Sequence, residues 1–116
     1  MKLAFLMIVA PDLGRAKTFY RDTLGFALAS ETPQRLVFTD PDLVIFKGVR
    51  NAPAAAHGED ASTTFVFAVP DLAAAMSDLK AKGVRLLHER PVQNEFGRYT
   101  AFADPFGNVL EFLERA

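Results

Sequence analysis

Few side chains in this 116-residue sequence could do chemistry. Glu111 lies in the apolar run Val109-Leu110-Glu111-Phe112, where a carboxylate could act as a general base or as a hydrogen-bonding anchor for a ligand. A buried carboxylate is costly unless it is paired, so an ion pair with a nearby arginine is an equally good interpretation. His57 lies in an Ala- and Gly-rich stretch, where we expect it to be solvated. His88 follows a predicted strand and is a minor candidate.

Composition excludes several classes of site and partner. The absence of cysteine excludes disulfides and thiolate metal sites and fits a cytoplasmic location. Because 13 Lys and Arg balance 14 Asp and Glu, we expect neither a nucleic-acid nor a membrane partner. The apolar start, Met1 to Ala10, is followed at once by Pro11-Asp12 and an amphipathic segment, so it is interpreted as a first strand rather than a signal peptide.

An internal repeat dominates the sequence and predicts where the elements lie. Each copy has an apolar run, a Pro-Asp-Leu, a helical pattern ending at glycine, and a later Asp-Pro before another apolar run. The matched segments are Val9-Ala10-Pro11-Asp12-Leu13 with Ala68-Val69-Pro70-Asp71-Leu72, Gly25-Phe26 with Gly83-Val84, and Asp40-Pro41 with Asp104-Pro105.

The pattern of each copy therefore predicts a strand, a helix and three further strands. Asp12 and Asp71 are predicted helix N-caps, with glycine ending each helix. The predicted strands are Leu3–Val9, Phe26–Ser30, Arg35–Thr39 and Leu43–Lys47 in the first copy, and Thr63–Val69, Val84–Leu87, Arg98–Ala103 and Val109–Leu113 in the second.

The predicted fold class is α+β, with two βαβββ repeats in one domain spanning residues 1–116. Repeat 1 covers residues 1–48, a linker covers 49–61, and repeat 2 covers 62–116. We expect the repeats to form a curved mixed sheet with the helices outside and a concave, ligand-binding inner surface.

The motifs that carry a family resemblance span almost the whole chain. Phe19-Tyr20-Arg21-Asp22-Thr23-Leu24-Gly25-Phe26, combined with Asp104-Pro105-Phe106-Gly107-Asn108 and Glu111, resembles the vicinal oxygen chelate superfamily. That superfamily contains glyoxalase I, bleomycin-resistance proteins, fosfomycin-resistance enzymes and extradiol dioxygenases. The resemblance implies paired βαβββ repeats, a homodimer at this size and, in the enzymes, a divalent metal held by His, Gln or Glu. It does not specify a reaction.

The resemblance also implies four metal-ligand positions, which the repeat locates in this sequence. Phe5 and Thr64 lie seven residues before the two capping aspartates. Aligning the last strands of the two repeats makes Ile45 the equivalent of Glu111. Only Glu111 is a usual ligand, whereas a catalytic divalent cation normally needs about three protein ligands. We therefore expect no cofactor and no metal at the standard site. The alternative is that a divalent metal binds there even though most ligand positions are missing.

Comparison with the family further suggests that Tyr99 faces the pocket, while Arg98, on the other face of the strand, is structural. Most of the 11 phenylalanines must be core, although Phe5 could form an apolar wall in place of a metal. The predicted ligand-binding residues are Phe5, Ile45, Thr64, Tyr99 and Glu111, with Glu111 also the candidate catalytic residue.

These observations predict a metal-free glyoxalase/bleomycin-resistance-type homodimer that binds a small organic molecule in an aromatic-lined concavity. One alternative is an enzyme of the same superfamily, a lyase or isomerase that uses Glu111 with or without a metal, as in glyoxalase-I-like proteins. Another is a non-catalytic interaction subunit whose concavity is filled by its own phenylalanines.

Overall fold

The chain folds into two compact units, Met1–Ala52 and Pro53–Ala116. The computed structural model describes residues 1–49 and 63–116, so His57 and the predicted linker beyond Val49 lie outside the described residues. Each unit contains a strand, a helix and three further strands, in that order. The α+β class and the βαβββ order of each repeat are thus confirmed, whereas a single concave surface shared by the two repeats stays a prediction.

The first unit is a four-stranded mixed sheet with one helical segment. Its elements are β1 (Leu6–Ala10), α1 (Leu13–Lys17), a π-helical turn (Thr18–Thr23), β2 (Ala27–Thr32), β3 (Arg35–Thr39) and β4 (Leu43–Lys47). The strand order is β1-β4-β3-β2. β1 runs parallel to β4, and the other neighbours are antiparallel, so β1 is an edge strand.

The first helix begins and ends where its capping residues predict. The Asp12 carboxylate accepts the Arg15 backbone N–H at 3.0 Å, and Gly25 follows the helical segment with φ of 79°. The π-helical turn that follows α1 is wider than an α-helix, because the Leu24 N–H donates to the Phe19 carbonyl, five residues back, at 2.9 Å. Phe19 and Tyr20 are both buried in this turn.

One face of the first sheet forms the core of its unit. The Tyr20 ring lies 5.9 Å from the Phe26 ring and 6.3 Å from the Phe38 ring, between centroids. The buried strand residues that alternate onto this face are Ile8, Ala10, Leu36, Phe38, Leu43 and Ile45.

The second unit repeats this plan. Its elements are β5 (Phe65–Ala68), α2 (Leu72–Ala81), β6 (Val92–Asn94), β7 (Gly97–Ala103) and β8 (Val109–Arg115), with strand order β5-β8-β7-β6. Asp71 caps α2 by accepting the Ala74 N–H at 3.0 Å. Gly83 follows the helix with φ of 77°, a left-handed conformation that costs glycine little.

The predicted strand Val84–Leu87 is wrong as a regular element. Residues in this segment do run beside β7, since the Leu87 N–H donates to Ala101 at 2.8 Å, but they form only an isolated bridge between Leu86 and Phe102. Regular pairing resumes in β6, where Val92 lies opposite Tyr99. Pro91, immediately before β6, lacks the N–H that a continuous ladder would need.

A tight turn between β7 and β8 sets the register of the two central strands. The buried Asp104 carboxylate accepts the N–H groups of Phe106 and Asn108 at 2.9 and 2.8 Å, and the Asn108 side-chain amide at 2.7 Å. Gly107 has φ of 91°, as expected for a glycine in this turn. The resulting register places Ala101 opposite Glu111.

Neither helix within residues 1–49 and 63–116 has the length and apolar character needed to cross a membrane.

Candidate functional site

The two faces of the second sheet are distinguished by Glu114. Its Oε2 accepts the Leu72 N–H at the start of α2 at 3.3 Å, so the Glu114 side chain lies on the helix-covered face. Arg98 lies opposite Glu114 in the β7–β8 pairing and donates to the same oxygen at 2.8 Å. Arg98 thus has the structural role expected for it. Because strand side chains alternate, Tyr99 and Glu111 lie on the other, open face.

Glu111 is surrounded by apolar neighbours on this open face. It is paired with Val66 of β5 on one side and with Ala101 of β7 on the other. Ala101 is fully buried, Glu111 is half-buried, and Val66 is 49% exposed. Tyr99 is one same-face position along β7 from Ala101, which makes it a diagonal neighbour of Glu111. At this position a carboxylate, which has about four acceptor sites, lies beside apolar side chains.

Thr64 directly precedes β5 and is half-buried, two residues before Val66. Continued alternation along the chain assigns it to the same face as Val66 and Glu111. Three of the five predicted ligand-binding residues, Thr64, Tyr99 and Glu111, therefore belong to one face of one sheet.

His88 also reaches this face, which the sequence indicated only weakly. Its Nδ1 accepts the Ala101 backbone N–H at 3.3 Å. Its ring lies 5.7 Å from the Tyr99 ring between centroids, with an angle of 87° between the planes, which is an edge-to-face contact. The only sequence signal for this was the position of His88 between a predicted strand and a proline.

The first unit presents an open sheet face of different chemistry. Met7 and Val9 of β1 are 56% and 45% exposed, and Phe5, just before β1, is 46% exposed. They alternate with the buried Ile8 and Ala10, so they lie away from the core. Phe5 is thus an exposed apolar residue, as a wall residue would be.

Ile45 is misplaced in the predicted set. It pairs with Ile8 and is fully buried, so it belongs to the core face of the first sheet. The position that corresponds to Glu111 is Val44, because Val44 pairs with Met7 as Glu111 pairs with Val66. The alignment was wrong by one residue, and in a strand one residue changes the face.

The donor groups at the four positions do not fit the divalent metal that the family's enzymes hold. Phe5, Thr64 and Glu111 keep their places, and the correction exchanges Ile45 for Val44, which also lacks a donor atom. Within residues 1–49 and 63–116, no three His, Cys, Asp or Glu side chains are grouped so as to hold a metal ion. Glu111 alone would leave such an ion mostly hydrated.

The second unit has two recesses that Glu111, Tyr99 and His88 do not line. One, of about 200 Å³, is lined by Thr63, Phe65, Asn108, Val109 and Leu110. The other, of about 380 Å³, is lined by Ala68, Val69, Pro70, Glu114 and Arg115. The candidate ligand-binding side chains and these recesses therefore do not coincide.

Several solved structures are similar to the chain over nearly their whole length. A glyoxalase family protein from Enterococcus faecalis is 24% identical, with a TM-score of 0.79 and coverage of 97% of each chain. A lactoylglutathione lyase from Agrobacterium tumefaciens is 23% identical, with a TM-score of 0.75 and coverage of 97% of this chain and 92% of that one. An antibiotic-binding protein from a Streptomyces species is 22% identical, with a TM-score of 0.69 and coverage of 100% and 99%.

These three neighbours share a fold but carry different functional names, and at this identity they show the fold alone. No functionally curated protein matches the chain. The family model that does match spans residues 2–112, nearly the entire sequence. The chain therefore belongs to the glyoxalase/bleomycin resistance protein/dioxygenase superfamily.

Proposed function

We propose that this protein binds a small organic molecule without a metal at the standard site, using the open face of its second sheet. The observation that carries the proposal is the placement of Glu111 among Val66, Ala101 and Tyr99 on a face that α2 does not cover. An aromatic ring can contact Tyr99 and the apolar side chains, while a hydrogen-bond donor on the same molecule reaches the carboxylate. The antibiotic-binding neighbour is a precedent for such a role on this fold.

The polarity of the face suggests the kind of molecule. A carboxylate accepts hydrogen bonds most strongly from charged donors, and it repels an anionic ligand. An aromatic molecule with an ammonium group therefore suits the face better than an aromatic carboxylate.

Two probes of equal ring size test this proposal. 2-Naphthylmethylamine is expected to raise the melting temperature and to shift the backbone NMR signals of Tyr99, Ala101 and Glu111, while 2-naphthoate binds at least tenfold more weakly. Glu111→Gln should abolish the preference for the amine. Glu114→Gln is the matched control, since it makes the same change on the same strand but on the helix-covered face.

Equal binding of both probes, or signal shifts confined to the other face, would overturn the proposal. A stoichiometric, chelator-sensitive divalent metal bound at Glu111, seen by elemental analysis and anomalous scattering, would overturn its metal-free part.

Proton transfer by Glu111 is a second candidate function, because the same face carries the polar groups of Tyr99 and His88. On this reading the protein is a metal-independent lyase or isomerase, with Glu111 as general base. Once a turnover assay exists, unchanged turnover in Glu111→Gln excludes this role.

We also propose that the protein is a homodimer. The support is the exposed apolar series Phe5, Met7 and Val9, which lies along and just before the edge strand β1. Exposed apolar edge strands favour association with another chain, and a second copy is the partner always present. Light scattering should give twice the 12.7 kDa chain mass, falling towards one chain in Val9→Asp. A monomeric wild-type protein at micromolar concentration would refute it.

A further inference from the structure

The edge of the second sheet next to Tyr99 contains a large bulge. From Leu87, which bonds Ala101, to Val92, which pairs with Tyr99, the chain advances five residues. Along β7 the corresponding step, from Ala101 to Tyr99, is only two residues. The extra residues leave the regular ladder, and bulges of this kind redirect side chains at sheet edges.

His88 takes the place of the missing backbone partner. In a continuous ladder the Ala101 N–H would donate to a strand carbonyl, but here it donates to the Nδ1 of His88. Because Ala101 is fully buried, loss of this acceptor would leave the Ala101 N–H unbonded, and water could not easily take the place of the imidazole. An imidazole nitrogen that accepts a hydrogen bond carries no proton, so the neutral ring is protonated on Nε2.

The same ring limits the position of Tyr99. It lies edge-to-face with the phenol ring at 5.7 Å, and it is itself held by the bond to Ala101, two residues along β7 from Tyr99. The imidazole is thus fixed at one end to the strand that carries Tyr99 and at the other to the Tyr99 ring.

We propose that His88 is a positioning residue of the ligand-binding face: it closes the gap in the sheet through Nδ1 and so fixes the Tyr99 ring for contact with an aromatic ligand. The ligand step of this inference rests on the proposed function. The two structural steps, the bond to Ala101 and the ring contact with Tyr99, do not.

Two substitutions separate the acceptor from the bulk of the side chain. Asparagine can present an acceptor close to the place of Nδ1, whereas leucine fills similar space without one. We expect His88→Leu to speed hydrogen exchange of the Ala101 amide at least tenfold, and His88→Asn to stay within about threefold of wild type. The same order is expected in affinity for 2-naphthylmethylamine, with a loss of at least tenfold in His88→Leu and a smaller loss in His88→Asn, which keeps the acceptor but lacks the ring.

Tyrosine signals test the ring contact directly. The chain has only two tyrosines and no tryptophan, so ring-labelled tyrosine gives two resolvable sets of NMR signals. Removing the imidazole should move the Tyr99 ring signals in both variants through the lost ring current. The Tyr20 signals should stay in place, because Tyr20 is buried in the other unit.

The outcomes separate this inference from the proposed function. Wild-type exchange at Ala101 in His88→Leu, unmoved Tyr99 signals, or equal loss of affinity in both variants would overturn the positioning role. If wild-type protein binds the probe and neither variant weakens it, the inference fails and the proposed function stands. If wild-type protein does not bind the probe, the proposed ligand class fails, and the exchange and ring signals alone decide the role of His88.

Discussion

The Asp104 turn offers a sharp test of how this fold holds Glu111 in register. Asp104→Asn keeps one carbonyl-type oxygen for the two backbone N–H groups but places an amide opposite the Asn108 amide, where the structure has a 2.7 Å donor–acceptor bond. One hydrogen bond to a charged acceptor is lost, so we expect a cost of about 1.5–3 kcal/mol in the free energy of unfolding. Asp104→Ala removes all three bonds and should cost more.

The reciprocal exchange gives the test its control. Asn108→Asp alone sets two carboxylates against each other in a buried turn and should destabilise strongly. Asp104→Asn combined with Asn108→Asp restores a donor and an acceptor in exchanged places. The double variant is therefore expected to be more stable than Asn108→Asp, with a coupling energy of about 2 kcal/mol or more in a double-mutant cycle.

Urea unfolding followed by circular dichroism measures these differences. With a denaturant slope of about 1–3 kcal/mol per molar, a loss of about 2 kcal/mol lowers the midpoint by roughly 0.7–2 M. A stability of Asp104→Asn within about 0.5 kcal/mol of wild type, or a double variant no better than Asn108→Asp, would refute the donor–acceptor assignment.

Three further predictions concern single positions. Gly97→Ala should cost at least about 2 kcal/mol in urea unfolding, because φ is 141° and a Cβ would collide with the Glu114 carbonyl; a change below about 0.5 kcal/mol would contradict this. Thr100→Val should leave the free energy of unfolding unchanged or raise it by about 1 kcal/mol, since the buried Thr100 hydroxyl has no partner among the described residues. A clear loss of stability would show that the hydroxyl is hydrogen-bonded. The hydrogen bond from Arg21 lowers the pKa of the exposed Asp22 carboxyl, so its small stabilising effect exists above the ordinary value of 3.8 and is lost as pH falls through the lowered pKa. NMR titration of Arg21→Gln should show the pKa of Asp22 rising towards that value, and an unchanged pKa would contradict the pairing.

Local signals in the sequence account for the parts of the fold that could be predicted. Asp12 and Asp71 cap their helices because a short carboxylate followed by a helical pattern satisfies free N–H groups whatever the tertiary context. Gly25 and Gly83 end those helices because a left-handed residue is needed there. Such features repeat in both copies and give the element order.

The faces of the strands were harder to predict where every residue is apolar. In Leu43-Val44-Ile45-Phe46 no polar residue marks the open side, so the sequence pattern cannot distinguish Val44 from Ile45. The face is decided by pairing with β1, which is a tertiary property. In β8, by contrast, the single Glu111 breaks the apolar run Val109 to Leu113 and so marks one face of the strand.

The interruption of the strand at His88 could not be predicted for a different reason. Val84 to Leu87 has the composition of a strand, and its backbone does bond to β7. The ladder ends because the His88 side chain replaces a backbone carbonyl as the acceptor, and because Pro91 lacks an N–H. Whether a side chain can replace a backbone acceptor depends on the distance across the sheet rather than on local propensity.

The two copies of the repeat differ at the corresponding positions Val44 and Glu111, and this difference favours binding over metal chemistry. A divalent metal needs several donors at once, and a valine at one position together with phenylalanine at another removes them. Orienting an organic ligand needs less: one acceptor of fixed position and an apolar surface against which the rest of the molecule packs. The second sheet provides both within four side chains, Val66, Tyr99, Ala101 and Glu111. The proposed binding role therefore does not need the metal ligands, because one carboxylate among apolar side chains would be sufficient to distinguish a donor-bearing aromatic molecule from one that lacks a donor.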